Sequence, residues 1–190
     1  MSFINKLSTA LGVKKREAQI LVVGLDNSGK STIMNKLKPV ELQATDVQPT
    51  VGFNVDRFST KLLNISAYDM SGQGRYRQLW EQYYRDTNGV VFVVDATDRL
   101  RMAVAKDELW QLLEHRDMAT RHVPLLFFSN KMDERGALSA VEVSQALGLE
   151  KVRGKAWHIC ACCARTGDGL VDGIEWLSQH VKDVLEQKTS

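Results

Sequence analysis

Short β-branched runs alternate with stretches of helical periodicity along most of the chain. Ile20 to Val23 predicts a first strand, and Lys30 to Leu37 a first helix. Phe53 to Ser59 and Leu63 to Asp69 read as two strands with no helix between them. In the second, Leu63, Ile65 and Ala67 alternate with Asn64, Ser66 and Tyr68, the pattern of a half-buried strand in a hairpin. A helix near Tyr76 to Arg85 precedes the apolar strand Val90 to Asp95, followed by a helix over Arg99 to His115 and a strand from Val123 to Asn130. A short helix at Ser139 to Leu147, a strand at Trp157 to Cys162 and a helix from Leu170 to about Gln187 complete the order. Apolar strands separated by helices pair in parallel through right-handed crossovers, with helices on both faces. The expectation is a doubly wound α/β fold: a six-stranded, mostly parallel sheet with one antiparallel hairpin.

The length of 190 residues fits one compact domain, and 44% apolar with 25% charged residues is ordinary globular composition. No apolar run approaches the ~20 residues that span a bilayer. Net charge is only +2, but its distribution is uneven: Lys6, Lys14, Lys15 and Arg16 precede any acid, and the remainder holds 21 basic against 23 acidic groups. A near-neutral body argues against a nucleic-acid groove and directs attention to the front end.

There Phe3, Ile4, Leu7, Ala10 and Leu11 share one helical face, with Asn5, Lys6 and Thr9 opposite. Residues 1–16 are therefore expected to form an amphipathic, basic segment ahead of a globular domain at 17–190. About ten residues make a marginal helix in water, so the segment needs the domain or an anionic membrane surface to fold against. Each basic residue near such a surface contributes ~1 kcal/mol. Position 2 is Ser2 rather than the Gly that N-myristoylation requires, and Asn5 and Lys6 interrupt what a signal peptide would keep apolar. Cys160, Cys162 and Cys163 are too close together and odd in number for a disulfide framework, which fits a reducing, cytoplasmic compartment, and they lack the distant second pair of a structural zinc site.

Gly24-Leu25-Asp26-Asn27-Ser28-Gly29-Lys30-Ser31 matches the phosphate-loop pattern G-x-x-x-x-G-K-S between a predicted strand and helix. Glycines let backbone N–H groups curl inward onto phosphates, Lys30 reaches the outer phosphates, and the Ser31 hydroxyl is a Mg²⁺ ligand. The loop alone does not separate ATP from GTP. Asn130-Lys131-Met132-Asp133 follows another strand, and a carboxylate at Asp133 accepts from the guanine N1–H and 2-amino groups, which adenine lacks. Asp69-Met70-Ser71-Gly72-Gln73 places Asp69 near Mg²⁺, the Gly72 N–H toward a γ-phosphate, and Gln73 as the catalytic residue that orients water. Pro49-Thr50-Val51-Gly52 adds a hydroxyl at Thr50 that completes the metal shell once a third phosphate draws the loop in.

Together these elements resemble the small GTPases, and more narrowly the Arf and Arf-like family, through Gly-Leu-Asp at 24–26, Pro-Thr-Val-Gly-Phe at 49–53, Asp-x-x-Gly-Gln-Gly at 69–74 and Thr-Gly-Asp-Gly-Leu at 166–170. The resemblance implies a P-loop NTPase small G-domain that binds GTP/GDP and Mg²⁺. It extends the nucleotide contacts to Thr32 and to the loop Cys162-Cys163-Ala164, whose backbone meets the guanine carbonyl oxygen. Asp-Met-Ser-Gly-Gln-Gly-Arg-Tyr-Arg at 69–77, Asp-Arg-Leu-Arg-Met at 98–102, Trp-His-Ile-Cys at 157–160 and Lys-Leu-Lys-Pro at 36–39 are similar to a ciliary branch of that family. Its GTP form recruits the BBSome coat to membranes, which implies a peripheral membrane protein of the cilium and basal body. An exchange factor and a GTPase-activating protein are implied as well.

The positions matching the aromatic trio read by Arf effectors are Phe53, Tyr68 and Tyr83; core burial and an effector role are equally open for them. Other readings are an Arf-type recruiter of Golgi or endosomal coats, a module that binds GTP without hydrolysing it, and a P-loop kinase or ATPase, which Asp133 disfavours. No Arg or Lys lies between Pro39 and Phe53, so intrinsic turnover is expected to be very slow, and an Asp26 carboxylate at the γ-phosphate edge is expected to slow it further or to bias nucleotide preference. In the family the front helix docks with GDP and is released with GTP as the hairpin slides. Such a slide must move by an even number of residues, or every side chain of Leu63 to Asp69 changes face.

Overall fold

The computed structural model describes residues 15–187. The expected amphipathic helix over the first residues lies outside them. Six strands form one sheet: β1 (Arg16–Val23), β2 (Phe53–Ser59), β3 (Leu63–Met70), β4 (Gly89–Asp95), β5 (Leu125–Asn130) and β6 (Trp157–Ala161). Their spatial order is β2-β3-β1-β4-β5-β6, and every neighbouring pair is parallel except β2 with β3. The hairpin register sets Phe53 opposite Met70 and Ser59 opposite Asn64.

Around the sheet lie α1 (Lys30–Leu37), α2 (Glu81–Tyr84), α3 (Met102–Glu114), α4 (Arg116–Ala119), α5 (Ala140–Leu147) and α6 (Leu170–Gln187). The strands bury both faces. One layer packs Leu21, Phe92 and Phe127 against Trp80 and Leu109; the other packs Ile20, Val22 and Phe128 against Ile33 of α1 and Leu177 of α6. A continuous apolar strand such as β4, buried at all seven positions, follows from that double cover.

Several boundaries differ from the periodicity. β1 begins at Arg16, not Ile20, because its first residues pair with β3 from Arg16 opposite Leu63 even though Glu17 and Gln19 face water. Arg16 therefore belongs to the sheet rather than to the front segment. Lys15 Nζ donates to the Thr60 carbonyl at 2.6 Å, and Arg16 Nη1 to that of Leu185 at 2.8 Å, so two of the four leading cations are engaged by the domain.

The helix expected over Tyr76 to Arg85 is a 3₁₀ segment, Gly74–Trp80, running into the single turn of α2. Arg77 and Trp80 of this segment both bond to carbonyls of the loop that precedes it, as described below. α3 starts at Met102 rather than Arg99, after a turn in which the Asp98 carboxylate accepts from the Arg101 N–H at 3.1 Å. Ser139 stands just outside α5 as its cap, exchanging hydrogen bonds with Glu142 in a capping box.

Candidate nucleotide site

The loops that leave the carboxyl ends of β1, β3, β5 and β6 meet along one edge of the sheet, the position where open α/β folds bind ligands. Residues 24–29 connect β1 to α1 with positive φ at Gly24, Asn27 and Gly29. Gly24 is obligatory: a Cβ there would lie 2.1 Å from the Val93 carbonyl oxygen. The loop lines an open cavity of about 390 Å³ together with Lys30, Ser31, Thr32, Thr50, Gly72 and Gln73.

Lys30 is buried, and its Nζ donates to the carbonyls of Gly24 at 3.0 Å and Leu25 at 2.8 Å. Desolvation pulls its pKa down to about 8 against the attraction of Asp69 and Asp26. The ammonium carries three N–H donors and these bonds use two, so one remains for a phosphate.

Ser31 Oγ donates to Asp69 Oδ2 at 2.6 Å and lies 2.7 Å from Thr50 Oγ1, which itself reaches Asp69 at 3.2 Å. Thr50 thus stands beside both groups. Burial pushes the Asp69 carboxyl up, opposed by the Ser31 hydrogen bond, the Lys30 charge and the Thr50 hydrogen bond. Asp69 Oδ1 is buried without a hydrogen-bond partner. Two hydroxyls and an unsatisfied carboxylate oxygen form a hard-oxygen set that fits Mg²⁺.

A second cavity, of about 280 Å³, adjoins the first and is lined by Asn130, Lys131, Asp133, Ala164 and Arg165. Asn130 knits three segments: its Nδ2 donates to the Ser28 carbonyl at 2.8 Å, and its Oδ1 accepts from the Ala164 N–H at 3.0 Å. That N–H, expected to face guanine, is thereby engaged by Asn130. Lys131, at φ 69°, reaches Asp95 across 2.6 Å. Burial raises the Asp95 pKa, but hydrogen bonds from Lys131 and Thr97 outweigh it and hold the carboxyl below its ordinary value. The Asp133 carboxyl is also held low, first by the Cys163 thiol beside it and then by Arg165, whose Nη2 lies 2.6 Å away.

Two further residues reach the phosphate loop that no local spacing announced. Arg101 Nη1 lies 3.0 Å from Asp26 Oδ1, and Arg77 Nη2 lies 3.7 Å from the same atom. Asp26 is thus countered by two guanidinium groups. The arginines come from the segments after β3 and β4, outside the stretch from Pro39 to Phe53 in which basic residues are absent.

The sequence profile of the ADP-ribosylation factor family matches residues 4–181. The chain belongs to this family. As an Arf-family small GTPase it binds GTP and GDP and hydrolyses GTP. ADP-ribosylation factor-like protein 6 of Danio rerio is 53% identical over 182 residues, spanning 96% of this chain and 98% of the relative. The protein of that name from Caenorhabditis elegans is 45% identical over 188 residues, 99% of each chain. Among solved structures, the Arl6 BBS3 small GTPase from Trypanosoma brucei with bound GppNp superposes with a TM-score of 0.81 at 38% identity, covering 88% of this chain and 98% of the other. Among the described residues no helix is long and apolar enough to cross a membrane.

The expected aromatic trio is contiguous: the Tyr83 ring centroid lies 5.3 Å from Phe53 and 5.0 Å from Tyr68. Phe53 is 43% exposed, as is Val55, and Val51 is 67% exposed. The trio is therefore half core and half surface, joining β2, β3 and the turn of α2.

Proposed function

We propose that this chain is a GTP-gated recruiter of the BBSome coat in ciliary membrane-protein traffic. The observation that carries its switching is the convergence of Ser31, Thr50 and Asp69 on one point beside the phosphate loop. Thr50 belongs to the segment before β2 and Asp69 to the end of β3, so an event at the γ-phosphate reaches both strands of the hairpin.

In this reading Asp133 accepts from the guanine N1–H and 2-amino groups. The Ala164 N–H turns from Asn130 toward the guanine carbonyl oxygen. The inward N–H groups of residues 24–32 hold the phosphates, and Lys30 adds its remaining donor. Ser31 and Thr50 hold Mg²⁺ through their hydroxyls and Asp69 through water; when bound, the ion neutralises charge on the outer phosphates. The Gly72 N–H meets the γ-phosphate and Gln73 orients the attacking water.

Arg77 and Arg101 are committed to Asp26, Glu108 and Asp98. Intrinsic turnover is therefore slow, and an activating protein supplies charge worth ~10³ to 10⁵ in rate. An exchange factor releases GDP.

The relatives named ADP-ribosylation factor-like protein 6 and the neighbour titled Arl6 BBS3 support the ciliary branch over a Golgi coat recruiter. The exposed patch Val51, Phe53 and Val55, with Tyr83 beneath it, supports docking of a coat subunit on the hairpin and its flanking loops. The segment ahead of β1 provides reversible attachment to anionic membrane.

Pull-down with Gln73→Leu loaded with GTP tests the assignment. BBSome subunits are expected, and lost with Phe53→Ala at unchanged nucleotide content; Golgi coat subunits in their place would overturn it.

A further inference from the structure

Two consecutive carbonyls in the loop after β3 are held by side chains of the 3₁₀ segment that follows. Trp80 Nε1, buried at 1% exposure, donates to the Ser71 carbonyl at 3.0 Å. Arg77 Nε donates to the Gly72 carbonyl at 2.8 Å. Because a peptide unit is planar, fixing one carbonyl also fixes the N–H across the bond. Trp80 thereby orients the Gly72 N–H, and Arg77 orients the peptide leading into Gln73.

The two clamps differ in what holds them. Trp80 is packed in the core. Arg77 is held by charge: its Nη1 lies 2.7 Å from Glu108 Oε1 on α3, with the side chains 16% and 20% exposed, and its Nη2 faces Asp26 of the phosphate loop at 3.7 Å. Gly72 itself is pressed onto that loop, since a Cβ on it would fall 2.2 Å from the Asp26 nitrogen. One guanidinium thus ties together the loop after β3, the phosphate loop and α3, with a fork that lysine cannot reproduce.

We infer that Arg77, anchored by Glu108, is a positioning residue for the GTP-bound state: by its hold on the Gly72 carbonyl it keeps Gly72, whose N–H Trp80 orients, against the phosphate loop and so selects GTP over GDP. This rests on the reading that Gly72 meets a γ-phosphate. GDP lacks that group, so loosening the lock weakens GTP retention alone. The same peptide precedes Gln73, so hydrolysis slows as well.

Release of fluorescent GTP analogue and GDP from the full chain is measured for wild type, Arg77→Lys, Glu108→Gln and the reference Gly72→Ala. Both Arg77→Lys and Glu108→Gln are expected to speed release of the GTP analogue about tenfold, or ~1.4 kcal/mol, and to leave GDP release within about twofold. Glu108→Gln retains an acceptor and leaves the loop residues themselves unchanged, so it reads the anchor.

Equal acceleration for both nucleotides, or no acceleration, in the Arg77 and Glu108 variants overturns the inference. If Gly72→Ala changes the GTP-to-GDP ratio while these two do not, the role of Gly72 stands and that of Arg77 falls. If Gly72→Ala leaves the ratio unchanged, the γ-phosphate reading falls and the inference with it.

Discussion

Ser31 Oγ lies 2.6 Å from Asp69 Oδ2, joining the first residues of α1 to the end of β3. The other oxygen of the same carboxylate is buried and unpaired. Asp69→Asn keeps the shape and removes the charge. In the proposed reading, where the carboxylate holds Mg²⁺ through water, its loss is expected to weaken the metal-dependent hold on nucleotide by ~10- to 100-fold. Release of fluorescent GDP with and without EDTA checks this: wild type accelerates sharply on chelation, whereas Asp69→Asn is fast in both conditions. A variant as sensitive to EDTA as wild type would contradict the placement.

Burial of Lys30 makes nucleotide binding pH-dependent. With its pKa pulled down to about 8, the amine is neutral above that pH, and incoming phosphates draw a proton back onto it. Affinity is therefore expected to fall as pH rises through 8, with uptake approaching one proton per nucleotide between pH 8 and 10. The nucleotide-free protein behaves in the opposite sense: its native state binds fewer protons than the unfolded chain between pH 8 and 10.5, so Lys30 adds stability as pH rises through that window. Calorimetry in buffers of different ionisation enthalpy reads the uptake, and Lys30→Met should abolish it.

Base choice rests on Asp133 in this reading. Asp133→Asn offers a donor where the carboxylate accepted, so GTP binding should weaken by at least ~10²-fold while xanthosine triphosphate, with an acceptor at the same ring position, is held better than GTP. Arg165→Ala removes only an exposed partner, 73% accessible, and is expected to change GTP affinity less than about threefold. Competition titration against a fluorescent nucleotide separates the two.

Gly24 and Gly136 both adopt positive φ, at 136° and 80°, but only Gly24 is pressed against backbone, the Val93 carbonyl oxygen. Gly24→Ala should destabilise the GDP-bound protein by about 3 kcal/mol or more, and Gly136→Ala by only about 1 kcal/mol, the cost of the dihedral alone. Denaturant unfolding compares them directly.

The elements most faithfully written in the chain are those whose signal is local. β4 is a continuous apolar run because both its faces are covered, and the observed Gly89–Asp95 extends the run by one residue. α1 occupies Lys30–Leu37 as its periodicity predicts. The segment after Gln73 was less legible, since the 3₁₀ winding of Gly74–Trp80 goes with Arg77 and Trp80 each reaching back to a loop carbonyl. The start of β1 was hidden for a related reason: Glu17 and Gln19 show polar side chains to water while their backbones pair with β3.

The sequence by itself determined the alternation of strands and helices and marked the glycine-rich loop at 24–31, the Asn-Lys-x-Asp pattern at 130–133 and the candidate metal oxygens, because each is set by contiguous spacing and by the chemistry of single residues. Only the tertiary structure decided which charges meet. Asp26 and Arg101 stand 75 positions apart, and Arg77 and Glu108 31. Whether such groups pair depends on sheet order and on how α3 packs against the loops. The same holds for Arg165 over Asp133 and for Asn130 between two loops. A charged residue carries its valence in the sequence, but its partner is chosen by the fold that brings distant chain segments within hydrogen-bonding distance.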